Sequence, residues 1–509
     1  MNLSPSKSLT EREIKTGLKL VVADGMMAEA MVVFTSGTFL TAMAINMGAT
    51  NFQLGLFAAL PTFTTIFQLL SVWFVQRFNN RRVITVLFNF LARLPIIAIG
   101  LIPFIFTGST SIQVLILLLF FQHVFGDIAG PSWASWIKDL VPAEQLGAFF
   151  SRRGRMAQTL NVTLSMATAF CIDYVKVHYP ADEIMAYNVM FLIGGAFGLI
   201  SVGLLLRTPE PSSKKIDDKL LTLFAMPLKN VNFKNLLVFN SFWAFALNLA
   251  TPFFAVYLLK TIGLPLSYVI ALGIIGQLSG IFSYKLWGRY ADRFSNKNII
   301  GICAPMYVGC ILLFAFVDVP GKMAVTICLL LIIYTISGLS IAGINLALYN
   351  IGLKLASKNE AIAYLSVKNM FVAFFSTLAP LIGGLMADFF SKHQFTSSIA
   401  FKSVQSTTSI TLLNLQGWNY FFIIGGLLAL VSLKFLGKVK EDGEVKKSRV
   451  VNQMRVRLRR RLRKNLGKEV AGGIYDPSGS LKRHIEIMLQ HRLMKAQLKR
   501  ALQSNRLEK

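Results

Sequence analysis

The chain has 509 residues, of which 54% are hydrophobic and only 15% are charged, and its formal net charge is +28. Soluble globular domains carry about a quarter charged residues, so this composition excludes a soluble protein and indicates an integral membrane protein. The basic excess is read first as loops and a tail that face an anionic lipid leaflet. A nucleic-acid surface is the second reading, and no nucleic-acid partner is expected.

Twelve apolar stretches are long enough to cross a roughly 30 Å hydrocarbon layer, which takes about 20 helical residues. The first half holds predicted helices 1 to 6, at Leu18–Ile45, Phe52–Phe74, Val83–Phe106, Ile112–Trp136, Ser151–Val175 and Met185–Leu206. The second half holds predicted helices 7 to 12, at Phe233–Leu259, Leu266–Trp287, Ile299–Phe316, Met323–Tyr349, Ala361–Phe390 and Trp418–Leu436. The predicted fold is therefore an all-α membrane protein of about 12 transmembrane helices in two pseudo-symmetric six-helix halves.

Five segments follow from this pattern. They are a polar N-terminus (1–17) without signal-peptide features, the first half (18–206), a linker rich in Pro, Ser and Lys (207–232), the second half (233–436) and a basic tail (437–509). Lys and Arg concentrate after the even-numbered helices, whereas loops such as 46–51 and 107–111 are nearly uncharged. Because short cytoplasmic loops carry the excess of Lys and Arg, both termini are predicted to be cytoplasmic, in a plasma (inner) membrane.

Two polar stretches recur in the two halves. Residues 288–297 (GRYADRFSNK) follow predicted helix 8 and residues 72–81 (VWFVQRFNNR) end predicted helix 2, and Arg77 and Arg293 are 216 positions apart. Residues 136–156 and 350–370 form a second repeat, offset by 214 positions. Two repeats at nearly one spacing indicate a membrane protein built from two similar halves.

The pattern G-x-x-x-D-R between two apolar helices resembles the signature loop of the major facilitator superfamily. Gly288, Asp292 and Arg293 fall on the pattern, whereas the first copy keeps Arg77 but has Gln76 in the place of the acidic residue. The resemblance extends over residues 14–438 through the helix count and the repeat.

In that family the acidic residue of this loop holds the facing half and closes the cytoplasmic side. The pseudo-twofold relation then predicts that Asp292 meets the start of helix 5 near Arg153. The predicted gate residues are Gly288, Asp292, Arg293, Arg77 and Arg153.

The resemblance implies a secondary transporter that moves a small organic solute by alternating access, and proton coupling is expected. No hydrolytic triad, phosphate-binding glycine loop, ATP-binding motif or metal-ligand cluster is visible, so we expect a protein that is not an enzyme and has no cofactor or metal. We also expect a monomer. The alternative is a non-transporting membrane sensor or scaffold that signals through the basic tail. A membrane enzyme acting on lipid is a weaker third hypothesis.

Four ionisable residues of the first half, Asp24, Glu29, Arg93 and Asp127, are the predicted coupling residues, because charges inside the membrane are costly and usually functional. At 1.5 Å per residue, Glu29 and Arg93 share a depth near the midplane, and Asp127 lies beside Asp24 nearer the inner end. In the functional reading, Glu29 or Asp24 loads and releases a proton. In the other reading, Glu29 and Arg93 form a buried pair that only fixes helix packing.

Substrate contacts are expected near the midplane between the halves. Asn161, Trp243 and Gln277 reach that depth, and two amides beside an aromatic ring suit a small polar or amphiphilic solute. Each of the three could instead serve helix packing.

The basic tail contains Met454, Leu458, Leu462 and Leu466 at a spacing of four, surrounded by arginines. A basic amphipathic helix next to a membrane most simply lies on the anionic inner leaflet. A protein partner or a nucleic acid remains the alternative.

Overall fold

The structure, a computed structural model, describes residues 5–6, 9–106, 108–212, 228–318, 322–355, 361–390, 395–402, 407–415 and 417–441. Most of the predicted linker and nearly all of the basic tail lie outside these residues. The predictions for the tail therefore concern residues that the structure does not describe.

Twelve long helical segments follow one another along the described residues. Helices 1 to 6 are Glu11–Thr35 continued by Gly37–Asn46, Asn51–Phe63 continued by Gln68–Phe78, Arg81–Ile105, Ser109–Leu140, Leu146–His178 and Glu183–Arg207. Helices 7 to 12 are Val231–Ala250 continued by Phe253–Val256, Leu266–Phe294, Asn296–Phe314, Met323–Leu355, Ala361–Phe390 and Gly417–Leu436.

Ten of these helices are apolar and long enough to cross a membrane by length and composition. The other two are helices 1 and 5, whose composition is more polar because helix 1 carries Lys19, Asp24 and Glu29 and helix 5 carries an arginine-rich first half. The predicted helical membrane fold is confirmed. The sequence analysis did not predict the antiparallel strand pair Phe395–Lys402 and Thr407–Leu415, which lies between helices 11 and 12.

Helices 1 and 2 are both interrupted, each for a local reason. Ser36 has an extended backbone, and the chain resumes at Gly37 with φ +62°, a conformation that glycine adopts at low cost. In helix 2, Pro61 removes a backbone donor, and the helix tightens into a 3₁₀ turn at Thr64–Phe67. Both breaks lie in helices that contribute to the sites described below.

The signature motif is helical, so its interpretation as a loop after Trp287 is wrong. Helix 8 continues through Phe294, and the single residue Ser295, with φ +139°, connects it to helix 9. In the first half, helix 2 runs to Phe78 and turns at Asn79, which has a left-handed backbone with φ +47°. The two tight turns occupy equivalent places in the two halves.

Each half is tied at one end by a buried glutamate that follows its last helix. Glu210 accepts hydrogen bonds from the backbone N–H groups of Arg81 (2.8 Å) and Arg82 (3.1 Å), the first residues of helix 3. Glu441 accepts from the N–H of Lys297 (2.8 Å), in the first turn of helix 9. A carboxylate is favoured at a helix N-terminus, where backbone donors and the helix dipole both point at it.

We call this end of the bundle the proximal end. The N-terminal segment is there too, since the N–H of Ser6 donates to the carbonyl of Glu210 at 2.9 Å. The opposite end, where helices 2 and 8 begin and helices 5 and 11 finish, is the distal end.

Candidate functional site

A cavity of about 520 Å³ lies among helix 5 of the first half and helices 7 to 10 of the second. None of its lining residues carries a formal charge. Phe254 and Phe314 give it an aromatic wall. Helices 8 and 10 pack closely beside it, because a Cβ atom added at Gly338 would collide with the backbone of Gly276. Its polar groups are amides and hydroxyls, contributed by Gln158, Asn161, Gln277, Tyr284, Tyr307, Tyr334 and Ser337.

Two of the three predicted substrate residues line this cavity, and the third does not. Asn161 and Gln277 lie in the lining, and Gln277 accepts a hydrogen bond from Gln158 at 2.7 Å, which joins the two halves across the cavity. Trp243 is 3% exposed and packs beside Phe239, with ring centroids 6.2 Å apart. Trp243 therefore does not line the cavity, contrary to the expectation, and instead occupies a packing position in helix 7.

Glu29 is connected to the cavity through one residue. The side-chain amide of Asn161 donates to Glu29 Oε1 at 2.7 Å, so Asn161 joins a carboxylate of helix 1 to the cavity lining. Glu29 is partly buried. This contact brings together a predicted coupling residue and a predicted substrate residue.

Asp24 sits in a separate polar cluster of the first half. It is 3% exposed, accepts a hydrogen bond from Ser201 at 2.6 Å, and lies 4.0 Å from the guanidinium of Arg153. The Arg153 guanidinium also lies over the ring of Trp133, 4.9 Å from its centroid. Burial, a hydrogen bond and a nearby cation together describe a charge that fixes helices 1, 4, 5 and 6 to one another.

The expected pairing of Glu29 with Arg93 is not formed. No ion pair joins these two residues, both of which lie in the described part of the chain. Arg93 instead donates to the side chain of Asn89 at 3.0 Å and interacts electrostatically with Asp24. Equal depth in two helices did not mean that the side chains face each other.

Asp127 belongs to a third environment. It accepts hydrogen bonds from Thr64 (2.7 Å), the first residue of the 3₁₀ turn of helix 2, and from Gln68 (3.0 Å), the residue that follows the turn. The partners of Asp127 are on helix 2, whereas those of Asp24 are on helices 5 and 6, and the position of Asp127 beside Asp24 stays a prediction. The geometry suits a contact that holds the bend of helix 2 against helix 4.

The predicted gate residues lie at the proximal ends of their helices. Gly288 and Arg293 are in the last turns of helix 8, and Arg77 is exposed in the last turn of helix 2. Arg153 is engaged with Asp24 within the first half. The side chain of Asp292 is not described, so its partner stays a prediction.

Sequence reasoning missed the tyrosines and Ser337 of the cavity. It selected ionisable residues, amides and one aromatic residue inside the membrane, and it did not consider hydroxyl groups. The polar groups of the missed residues are hydroxyls. A search for Tyr and Ser near the middle of helices 9 and 10 would have included Tyr307, Tyr334 and Ser337, whereas Tyr284 lies nearer the proximal end of helix 8.

Comparison with known families decides the identity of the fold. The profile of the Major Facilitator Superfamily matches residues 25–361. The chain belongs to this superfamily. Among curated protein sequences, no significant match is found.

Solved structures of superfamily transporters share the fold at low sequence identity. The nucleoside transporter NupG aligns at 14% identity and a TM-score of 0.59, over 84% of this chain and 100% of that one. A D-xylose-proton symporter aligns at 15% identity and a TM-score of 0.59, over 85% of this chain and 99% of that one. A bacterial homologue of the human lysosomal transporter Spinster, in an inward-facing and occupied conformation, aligns at 16% identity and a TM-score of 0.55. The alignment covers 74% of this chain and 82% of that one.

Proposed function

We propose that this protein is a proton-coupled secondary transporter that moves an uncharged, hydroxyl-bearing organic solute by alternating access. Membership of the superfamily supports transport of a small molecule. The protein acts as a monomer in the plasma membrane. Its proximal end and both termini face the cytoplasm, because Lys and Arg concentrate at the loops of that end.

The cavity lining is the observation that carries the solute class. Amides and phenol or alcohol hydroxyls can each donate and accept hydrogen bonds, and they match the hydroxyl and ring-nitrogen groups of a sugar or a nucleoside. A phosphorylated or carboxylated solute would lose its hydration in a cavity whose lining offers no cation. Nucleosides and D-xylose are named for two of the similar structures, and both are uncharged ring compounds.

The contact between Asn161 and Glu29 supports the coupling step. An ionised Glu29 can only accept hydrogen bonds, so it orients the amide N–H of Asn161 toward itself and leaves the amide oxygen for a solute hydroxyl. A protonated Glu29 can donate, which allows the Asn161 amide to reorient. Solute binding and proton binding would thus cooperate through one amide group.

The solute class is tested by uptake into liposomes that contain the purified protein. Radiolabelled pentoses, hexoses and nucleosides are compared with their phosphate esters. We expect uptake of a neutral compound, no uptake of its phosphate, and a KM raised about tenfold by Gln277→Ala, since a lost hydrogen bond is worth about 1 kcal/mol or more. Gln122→Ala, an amide of helix 4 outside the cavity lining, is the matched control. Preferential uptake of the phosphate esters would contradict the proposal.

A further inference from the structure

Two aspartates at the distal ends of helices 5 and 11 each bind the N-terminus of a helix in the other half. Asp173 of helix 5 accepts from the backbone N–H groups of Leu266 (2.9 Å) and Ser267 (2.8 Å), the first two residues of helix 8. Asp388 of helix 11 binds the first two N–H groups of helix 2 in the same way, at 3.2 and 3.0 Å. In both contacts the two carboxylate oxygens each take one donor.

These contacts satisfy donors that a helix cannot satisfy by itself. The first backbone N–H groups of a helix have no partner in their own helix, and the positive end of the helix dipole favours an anion there. Hydrogen bonds to a charged acceptor are about twice as strong as those between neutral groups. Each aspartate therefore adds a directional attraction between the halves.

The two contacts are related by the internal duplication. Asp173 and Asp388 are 215 positions apart, and so are Asn51 and Leu266, the first residues of the two helices that they bind. The sequence repeats, at 214 and 216 positions, have nearly the same spacing. One ancestral contact between an aspartate and a helix N-terminus would account for both.

The contact made by Asp388 is backed by close packing of helices 2 and 11. A Cβ atom added at Gly384 would lie 2.7 Å from the Cα of Phe52, and the hydroxyl of Thr377 donates to that of Thr62 at 3.1 Å. Only a residue without a side chain lets the two backbones approach this closely. The two aspartate contacts and the close packing of helices 2 and 11 thus all join the two halves.

We propose that Asp173 and Asp388 are paired positioning residues that hold the distal end closed and must both release their helices when the halves separate there. The inference rests on the proposed function to the extent that such a separation is a step of alternating access. This gate differs from the signature motif, which lies at the proximal end. Asp173 and Asp388 would thus close the distal end, to which the signature motif contributes no residue.

The test measures distances in the purified full-length protein and needs no solute. Spin labels are attached at Tyr179→Cys in the first half and Met323→Cys in the second, after replacement of the four native cysteines by alanine. Both sites are exposed near the distal end. Their distance distribution is recorded by double electron–electron resonance for the parent and for Asp173→Asn, Asp388→Asn and the double variant.

We expect the double variant to raise the population with the longer distance about tenfold, and each single variant to raise it less, because asparagine keeps one acceptor but loses the charge. Asp182→Asn, an exposed distal carboxylate, is the matched control and should leave the distances unchanged. Gly384→Ala should lengthen the distance by forcing helices 2 and 11 apart. An opening in Gly384→Ala without one in either aspartate variant would overturn the proposal, since packing alone would then close the end.

Unchanged distances in all three aspartate variants would also overturn the proposal. Opening in the double variant supports the gate even where no neutral solute is transported, so a failure of the proposed function is separated from a failure of the gate.

Discussion

The side-chain amide of Asn161 donates a hydrogen bond to Glu29 across 2.7 Å, and Asn161 also lines the cavity between the halves. The residues that line the cavity carry no formal charge. Among the described residues, the Asn161 amide connects this cavity to the carboxylate of Glu29. Under the proposed function, we expect a change in the protonation of Glu29 to alter which hydrogen bonds Asn161 can offer to a solute. The predictions below test this link and the contacts that hold the bundle around it.

Asn161→Ala should weaken solute binding and reduce its dependence on pH. The variant removes one hydrogen-bonding group from the lining, which corresponds to a loss of affinity of about five- to tenfold. It also removes the contact through which Glu29 acts on the solute. Solute binding is measured against pH by isothermal titration in detergent. Wild-type affinity with a wild-type pH profile would show that Asn161 does not link the two sites.

Asp24→Asn should lower stability more than it alters transport. The substitution removes the charge that neutralises Arg93 and Arg153 inside the first half, and breaking a buried ionic contact by removing one partner costs about 3 kcal/mol. Ser201→Ala removes one hydrogen bond and keeps the charge, so a loss of about 1 kcal/mol is expected. Thermal unfolding in detergent measures both. A normal melting temperature together with abolished proton coupling would assign Asp24 to the transport site instead.

Glu441 should make stability fall on acidification. Burial raises the pKa of its carboxyl, but hydrogen bonds from the Lys297 N–H, from Lys354 and from Asn296 outweigh this effect and hold the pKa below its ordinary value of 4.5. A carboxyl with a lowered pKa in the folded state stabilises the protein above the unfolded pKa. That contribution is lost as the pH falls through the lower, folded value.

The corresponding variant is Glu441→Gln. It should cost about 1 to 2 kcal/mol at neutral pH and make the melting temperature less sensitive to pH below about 4.5. Melting curves from pH 7 to mildly acid conditions, for wild type and variant, provide the measurement. Parallel curves for the two proteins would contradict the assigned contact.

Asp292→Asn should raise the population that is open at the proximal end. From the resemblance to the superfamily motif, we expect the carboxylate of this residue to help close that end, and the first half has Gln76 at the equivalent position. Losing about 1.4 kcal/mol shifts a two-state balance tenfold. Labelling of a single cysteine introduced into the proximal half of helix 11 reports the open population. Gln76→Asp should reduce labelling, and equal labelling in Asp292→Asn and wild type would remove Asp292 from the gate.

The helices were predictable because crossing a membrane needs a long apolar stretch, and such stretches are visible in composition alone. The ends of the helices were less predictable. The signature motif of helix 8 is polar, which resembled a loop, yet it continues the helix to Phe294 because Ser295 with its positive φ provides the turn. The break at Ser36 and Gly37 was missed for the opposite reason, since largely apolar residues continue on both sides.

The site was only partly predictable, since the sequence gives the depth of a residue in a helix and leaves its direction to packing. Asn161 and Gln277 line the cavity, whereas Trp243, at a similar predicted depth, packs beside Phe239. Glu29 and Arg93 share a depth but have different partners. The distal contacts of Asp173 and Asp388 join residues that are close only after the two halves meet.

The most direct test of the account is simultaneous recording of solute and proton movement in liposomes, with wild type and Glu29→Gln. Addition of a neutral solute that is taken up should drive protons inward with the wild-type protein, reported by a trapped pH dye. Glu29→Gln keeps a similar volume and a hydrogen-bond acceptor for Asn161 but cannot titrate. It should therefore still exchange solute across the membrane while proton movement and uphill accumulation disappear. Glu183→Gln, a glutamate at the distal start of helix 6, is the control. Full proton movement and accumulation in Glu29→Gln would contradict the account.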